Sequence, residues 1–115
     1  MRFKFGDHVS CDIFNKIHGV VVRTSNTFNK YLILFNDEQK DPILRWVSSQ
    51  GLKPRNIGLI SDPKNFGAIV RHGSRAAIST GIVNTDGVLV ILGTEPAVYK
   101  SIPSEKIELF QKKEE

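Results

Sequence analysis

Apolar residues along this chain come in short bursts, with period-two alternation in places, separated by Gly, Asn, Asp, Ser and Pro. Such a pattern predicts many short strands, and helical periodicity is nowhere sustained. In the first half Val9, Cys11 and Ile13 alternate toward one face, a loop over residues 14–18 ends at Gly19, and Val20-Val21-Val22 follows as a second strand. The polar segment 24–29 turns the chain into a third strand over residues 31–35, and 36–42 turns it again into a fourth over 44–47. Ser48-Ser49-Gln50-Gly51 has the length of a single helical turn, and Leu52-Lys53-Pro54 makes a last short strand.

The second half replays this plan. Asp12-x-x-Asn15 with Gly19-x-x-Val22-Arg23 recurs as Asp62-x-x-Asn65 with Gly67-x-x-Val70-Arg71, and Val47-Ser48-Ser49-Gln50-Gly51-Leu52 matches Ile102-Pro103-Ser104-Glu105-Lys106-Ile107. Spacings of 48–55 residues are those of an internal duplication. The second copy is read with an insertion over residues 72–80 and a different hairpin at Asn84-Thr85-Asp86-Gly87, where Asp-Gly suits a type I′ turn. Pro54-Arg55-Asn56 is the linker, too short to let the halves move far apart, and residues 111–115 form a frayed, disordered tail.

In order, Phe5-Gly6-Asp7-His8-Val9, Gly19-Val20-Val21, Tyr31-Leu32-Ile33-Leu34-Phe35, Asn36-Asp37-Glu38, Trp46-Val47 and Leu52-Lys53-Pro54 resemble the SH3-like barrels of the Tudor and KOW type. The stretch from Ile60 to Val70 looks like the opening of similar barrels appended to bacterial DNA-dependent ATPases, and small accessory proteins of phages and mobile elements look similar too. The resemblance implies an all-β protein of two tandem, diverged SH3-like five-stranded barrels, residues 1–54 and 55–110. It places Val9, Val21, Ile33 and Val47 in one core and Ile69, Ile82, Val90 and Ile107 in the other, the barrels meeting near residues 54–57. It says little about function, because this superfamily binds DNA, RNA, modified peptides and polymerases alike.

Composition sets bounds on that picture. With 115 residues the chain holds one ordinary domain or two very small ones, and 40% hydrophobic with 24% charged residues is ordinary for a packed core. Apolar runs reach five residues, against about 20 for a membrane span, so no membrane partner is expected. The opening residues lack a secretory signal and Cys11 is the single cysteine, so a reducing compartment, the cytoplasm, is expected.

The net charge of +4 is unevenly spread: +1 over residues 1–41, +5 over 42–85 and −2 over 86–115. A basic middle is the electrostatic footprint of a nucleic-acid contact, and a solvated face gives the same count. In Arg71-His72-Gly73-Ser74-Arg75, two guanidinium groups flank a Gly and a Ser, so that amides, a hydroxyl and charged forks can together meet a phosphate. Lys16 and Lys64, in corresponding loops of the two copies, would extend the basic track through Arg45 and Arg55.

Other chemistry is weaker. Phe14, Phe28, Tyr31 and Trp46 in the first copy, and Phe66 and Tyr99 in the second, are the rings available for a cation-binding aromatic cage; core packing is the plainer role. His8, Cys11 and His18 offer zinc ligands, but a structural site needs four, and Asp12 as the fourth would point away from Cys11 within one strand. No metal or cofactor is therefore expected. No Gly-rich phosphate loop, Gly-x-Ser-x-Gly or His-Glu-x-x-His is present, so the chain reads as a non-enzyme. The expected partner is a nucleic acid, DNA or RNA, or a nucleic-acid-processing protein. The alternative is a protein-binding adaptor or inhibitor acting through a barrel edge or the cleft between barrels.

Overall fold

The structure, a computed structural model, describes residues 2–12, 17–35 and 42–110. Among these residues there is no α-helix; the chain is all-β. Five strands form the first sheet: β1 (His8–Cys11), β2 (Ile17–Ser25), β3 (Lys30–Phe35), β4 (Ile43–Ser48) and β5 (Leu52–Pro54). They lie in the order β4-β3-β2-β1-β5. The 3-10 turn Ser49–Gly51 leads into β5, where the sequence places a single helical turn. The second sheet runs β6-β7-β8-β9, from β6 (Ile69–His72), β7 (Arg75–Asn84), β8 (Gly87–Leu92) and β9 (Val98–Ile102). All neighbours are antiparallel. Both sheets are open, with β4 and β5 as edges of one and β6 and β9 of the other, rather than closed barrels of five strands each.

The second sheet nevertheless repeats the first. Its missing fifth strand is reduced to a single bridge between Val70 and Leu109. The Arg55 N–H donates to the His8 carbonyl at 3.0 Å, and the Phe110 N–H donates to Ile69 in the same way at 2.9 Å. Gly6 N–H donates to the Val21 carbonyl and Val21 N–H to Asp7 in the first copy. In the second, Gly67 N–H donates to Ser79 and Ser79 N–H to Ala68. Phe5-Gly6-Asp7-His8-Val9 is therefore the counterpart of Phe66-Gly67-Ala68-Ile69-Val70, with φ of +89° at Gly6 and +81° at Gly67. The register read from Gly19 and Gly67 is corrected by one strand, because Gly19 lies inside β2 and Gly67 precedes β6, the counterpart of β1. The match of residues 47–52 to 102–107 stands: each runs from the fourth strand through a turn to the fifth position.

Two further readings change. Residues 72–80 are no insertion: Gly73 and Ser74 form a tight hairpin, and β7 starts at Arg75. At the next hairpin Asn84 pairs with Gly87, so the tip is Thr85-Asp86, held by the Asp86 N–H donating to Asn84 Oδ1 at 2.9 Å. Positive φ falls on Gly87 alone of the two residues proposed for the type I′ turn. The connection from β5 to β6 spans residues 55–68, longer than the three-residue linker read from sequence.

Three apolar clusters hold the molecule. The first contains Val9, Val21, Ile33 and Val47 as expected, with Phe3, Cys11, Tyr31, Phe35 and Leu52. A second contains Val90 and Ile107 as expected, with Ala68, Val70, Ala77 and Val88. Ile69 and Ile82 are only half-buried and lie outside it. Val70 takes the inward position, so its neighbour Ile69 faces the other way, and Ile82 sits where the β7–β8 register shifts between Ser79 and Val83.

The third cluster joins the sheets. Val20, Val22, Leu34, Ile78 and Ile91 are its buried members, with Phe5, Leu44, Phe66 and Tyr99 packed around them. Val20 pairs with Leu34 in β2–β3 and Ile78 with Ile91 in β7–β8, so the repeats contribute equivalent positions and meet face to face about a pseudo-twofold relation. Residues 31–35 are all buried because β3 has core on both faces, which is why they read as a continuous apolar run. Each fully buried Val, Leu or Ile contributes roughly 1.5–3 kcal/mol. Five of them far outweigh the ion pair that crosses this junction among the described residues, Arg23–Glu95 at 2.9 Å with the Glu95 end exposed, since such pairs contribute about 0–1 kcal/mol. No helix among the described residues is long and apolar enough to cross a membrane.

Candidate nucleic-acid interface

The residues of the basic middle are dispersed over the fold. In β6–β7, Arg71 pairs with Ala76 and His72 with Arg75, so Arg71 and Arg75 project from opposite faces of the hairpin. Arg71 turns toward the chain's end, its Nε 3.5 Å from Glu108 Oε1 and its guanidinium 5.4 Å from the Phe110 ring centroid. His72 is half-buried and cross-strand from Arg75. Arg45 is exposed on β4 and Arg55 follows β5, at opposite edges of the first sheet. Arg55 donates to Ser10 Oγ at 3.4 Å. Lys64 is exposed in a turn where its own N–H donates to Asp62 Oδ1 at 2.9 Å. Lys16 lies outside the described residues.

Arg75 is the one that joins a cluster. It lines a groove of about 700 Å³ at the junction of the repeats, together with Lys4 and Arg23, over a floor that includes Phe3, Phe5 and Val22. Among the described residues no carboxylate lines the groove. Alternation places Lys4 there: Phe3 packs into the first cluster and Phe5 against the third, which leaves the residue between them at the surface. Arg23 reaches the groove just past the register shift that follows Val21 in β2. Its guanidinium donates to Glu95 Oε2 at 2.9 Å, which fixes one edge of the fork and leaves other N–H groups to bind.

Arg23, Thr24 and Asn26 also line a second groove, of about 720 Å³, whose other walls include Lys30, Phe28 and Trp46. Phe28 is 72% exposed and Trp46 49% exposed. The two grooves thus share a wall, and the surface they make carries Arg75, Lys4, Arg23 and Lys30, with two open aromatic rings. Sequence reasoning misses Lys4, Arg23 and Lys30 because the sum over residues 1–41 is close to neutral. Of the acids behind that sum, Asp7 accepts from the Lys4 backbone N–H at 2.9 Å and Asp12 pairs with Lys53 at 3.4 Å, neither of them lining the groove, while Asp37, Glu38 and Asp41 lie outside the described residues.

Of the six cage aromatics, Tyr31 is fully buried, its hydroxyl accepting from the Phe3 N–H at 3.2 Å. Phe66 and Tyr99 belong to the junction between sheets, and Phe14 lies outside the described residues. Among the described members of the set, Phe28 and Trp46 are the open ones. Among the zinc candidates Cys11 is buried in the first cluster, whereas His8 and His18 bond to each other, Nδ1 to Nε2, at 2.6 Å. His8 Nε2 lies 3.2 Å from the Gly67 carbonyl, which can only accept, so this nitrogen carries the proton. His8 Nδ1 is then the acceptor and His18 Nε2–H the donor, a chain of two neutral rings across the repeat junction. Burial pushes the His18 pKa down to about 4, helped by His8 and Arg55. Burial also lowers His8, against the Gly67 bond and Asp7, which act the other way.

Comparison with protein-family models, curated proteins and solved structures finds no match to this chain.

Proposed function

We propose that this protein is a non-catalytic nucleic-acid-binding module, built from two diverged SH3-like units, 1–54 and 55–110, that bind across their junction. The SH3-like reading is supported by the repeated antiparallel meander and by the 3-10 turn that feeds the short fifth strand back beside the first. One observation carries the functional reading: Lys4, Arg23 and Arg75 converge on one groove whose lining, among the described residues, holds no carboxylate. Cations from two repeats on one concave surface focus a positive field there, and backbone phosphates are the anions that such a field suits. The basic site is thus moved from the Arg71–Arg75 loop to the junction, with Arg75 retained.

A protein-binding adaptor is the second reading. It is favoured by Leu59, which is 97% exposed in the segment joining the repeats. Salt separates the two readings. Phosphate contacts release counterions, so affinity for labelled oligonucleotides, measured by anisotropy, should fall steeply between about 50 and 200 mM salt. An apolar protein interface would respond little.

A further inference from the structure

Resting on that reading of the junction groove, we infer that the adjoining shelf of Phe28, Trp46 and Lys30 makes the protein selective for single-stranded nucleic acid, with bases stacked on the two rings. The shelf continues the cationic groove through Arg23, which lines both. A strand whose phosphates follow Arg75, Lys4 and Arg23 is delivered to the rings. Lys30 has no carboxylate within 4.0 Å among the described residues, and so is available for the next phosphate. Glu95 is the one acid on the shelf among the described residues; its exposed carboxylate is paired with Arg23, and a pair with one end in solvent contributes little.

Comparison of the two repeats separates this feature from the needs of the fold. Leu32 pairs with Trp46 in the first sheet, and the equivalent Leu89 pairs with Ser101 in the second. The position of Lys30 is taken by Gly87. The same strand pairing therefore forms without an aromatic or a cation there, so Trp46 and Lys30 answer to something other than strand pairing. An exposed ring beside a positively charged groove is how single strands are held: every base has a face to stack, and the stack is independent of sequence. In a duplex those faces are already covered by neighbouring base pairs, so the rings add nothing to duplex binding. That asymmetry is the source of the selectivity.

Trp46 is the single tryptophan, so its emission reports the shelf directly. The full chain is titrated at low salt with a thymidine oligonucleotide, a uridine oligonucleotide and a duplex of equal length, following Trp46 fluorescence and probe anisotropy together. Quenching by both single strands and not by the duplex is expected, with tighter single-strand binding. Trp46→Ala should weaken single-strand binding about tenfold and leave duplex binding unchanged, whereas Trp46→Phe should keep most of the affinity. Phe28→Ala should act in the same direction; an unchanged unfolding midpoint in each variant shows that the fold is intact. Equal binding of strand and duplex, or unquenched Trp46 in a saturated complex, overturns the shelf while leaving the groove reading in place. Absence of binding to any of the three probes overturns both.

Discussion

The imidazole of His8 lies over Gly67, donating its Nε2–H to the Gly67 carbonyl at 3.2 Å and occupying the space a side chain there would need. The equivalent pair from the opposite repeats is Ile69 and Gly6, where an added Cβ would sit 2.7 Å from Ile69 Cδ1. Each repeat thus presents a left-handed glycine to a side chain of the other, a reciprocal contact of the kind a twofold interface requires.

Gly67→Ala should destabilise the protein by at least about 2 kcal/mol in urea unfolding, since it combines the strain of a left-handed alanine with a clash against His8. Gly73 is the control. It also has positive φ, +61°, but nothing within 4 Å of an added Cβ, so Gly73→Ala should cost only the backbone strain, about 1 kcal/mol. Equal destabilisation at the two positions would mean that the repeats do not approach as described.

Acid should loosen the junction through His18. Its folded pKa, about 4, lies below the unfolded value of 6.5, so on acidification the unfolded chain takes up the proton first. The contribution is complete above pH 6.5, declines as pH falls toward 4, and is exhausted below that. After discounting for partial solvent exposure, the destabilisation should be on the order of 1–2 kcal/mol. Unfolding midpoints of the parent and His18→Gln across this window provide the check. The parent should lose stability more steeply than the variant, and parallel curves would contradict the assignment.

The joint cluster should make the two repeats unfold together. Leu34→Ala or Ile91→Ala, each at a fully buried position facing the other sheet, should cost about 2–5 kcal/mol and leave a single calorimetric transition at lower temperature. Two separate transitions in the parent would show that the junction contributes little.

Residues 72–80, read as an insertion, hold the Gly73-Ser74 hairpin and the start of β7, but the strands of the first half are legible in the sequence because they depend on local signals, namely apolar alternation and turn residues. Placing one repeat on the other is not. Asp-x-x-Asn followed by Gly is a short polar pattern that recurs by chance, whereas Phe5-Gly6 and Phe66-Gly67 are matched by backbone conformation, which residue identity alone does not rank. The five-residue apolar runs carry the one available hint of a third cluster, since a run buried on both faces needs two cores. For the site, charge summed along the chain points to Arg71 and Arg75 together, but strand geometry sends them to opposite faces. Lys4 and Arg23 are invisible to such sums because a sum along the chain counts sequence neighbours such as Asp7 and Asp12 whether or not they line the groove.

The central claim, that nucleic acid lies across the junction groove, is tested most directly by reversing its charge. In the Lys4→Glu/Arg75→Glu double variant, attraction to two phosphates gives way to repulsion, and the fold should survive because both residues are exposed. The slope of log affinity against log salt should flatten by about 0.9 for each duplex phosphate that the variant no longer neutralises, or about 0.7 for each phosphate of a single strand. Lys100→Glu/Lys106→Glu, with the same change in net charge at exposed positions outside the groove, should retain the parental slope. A Lys4/Arg75 variant that keeps the parental affinity and slope, or a control weakened to the same degree, would contradict the account.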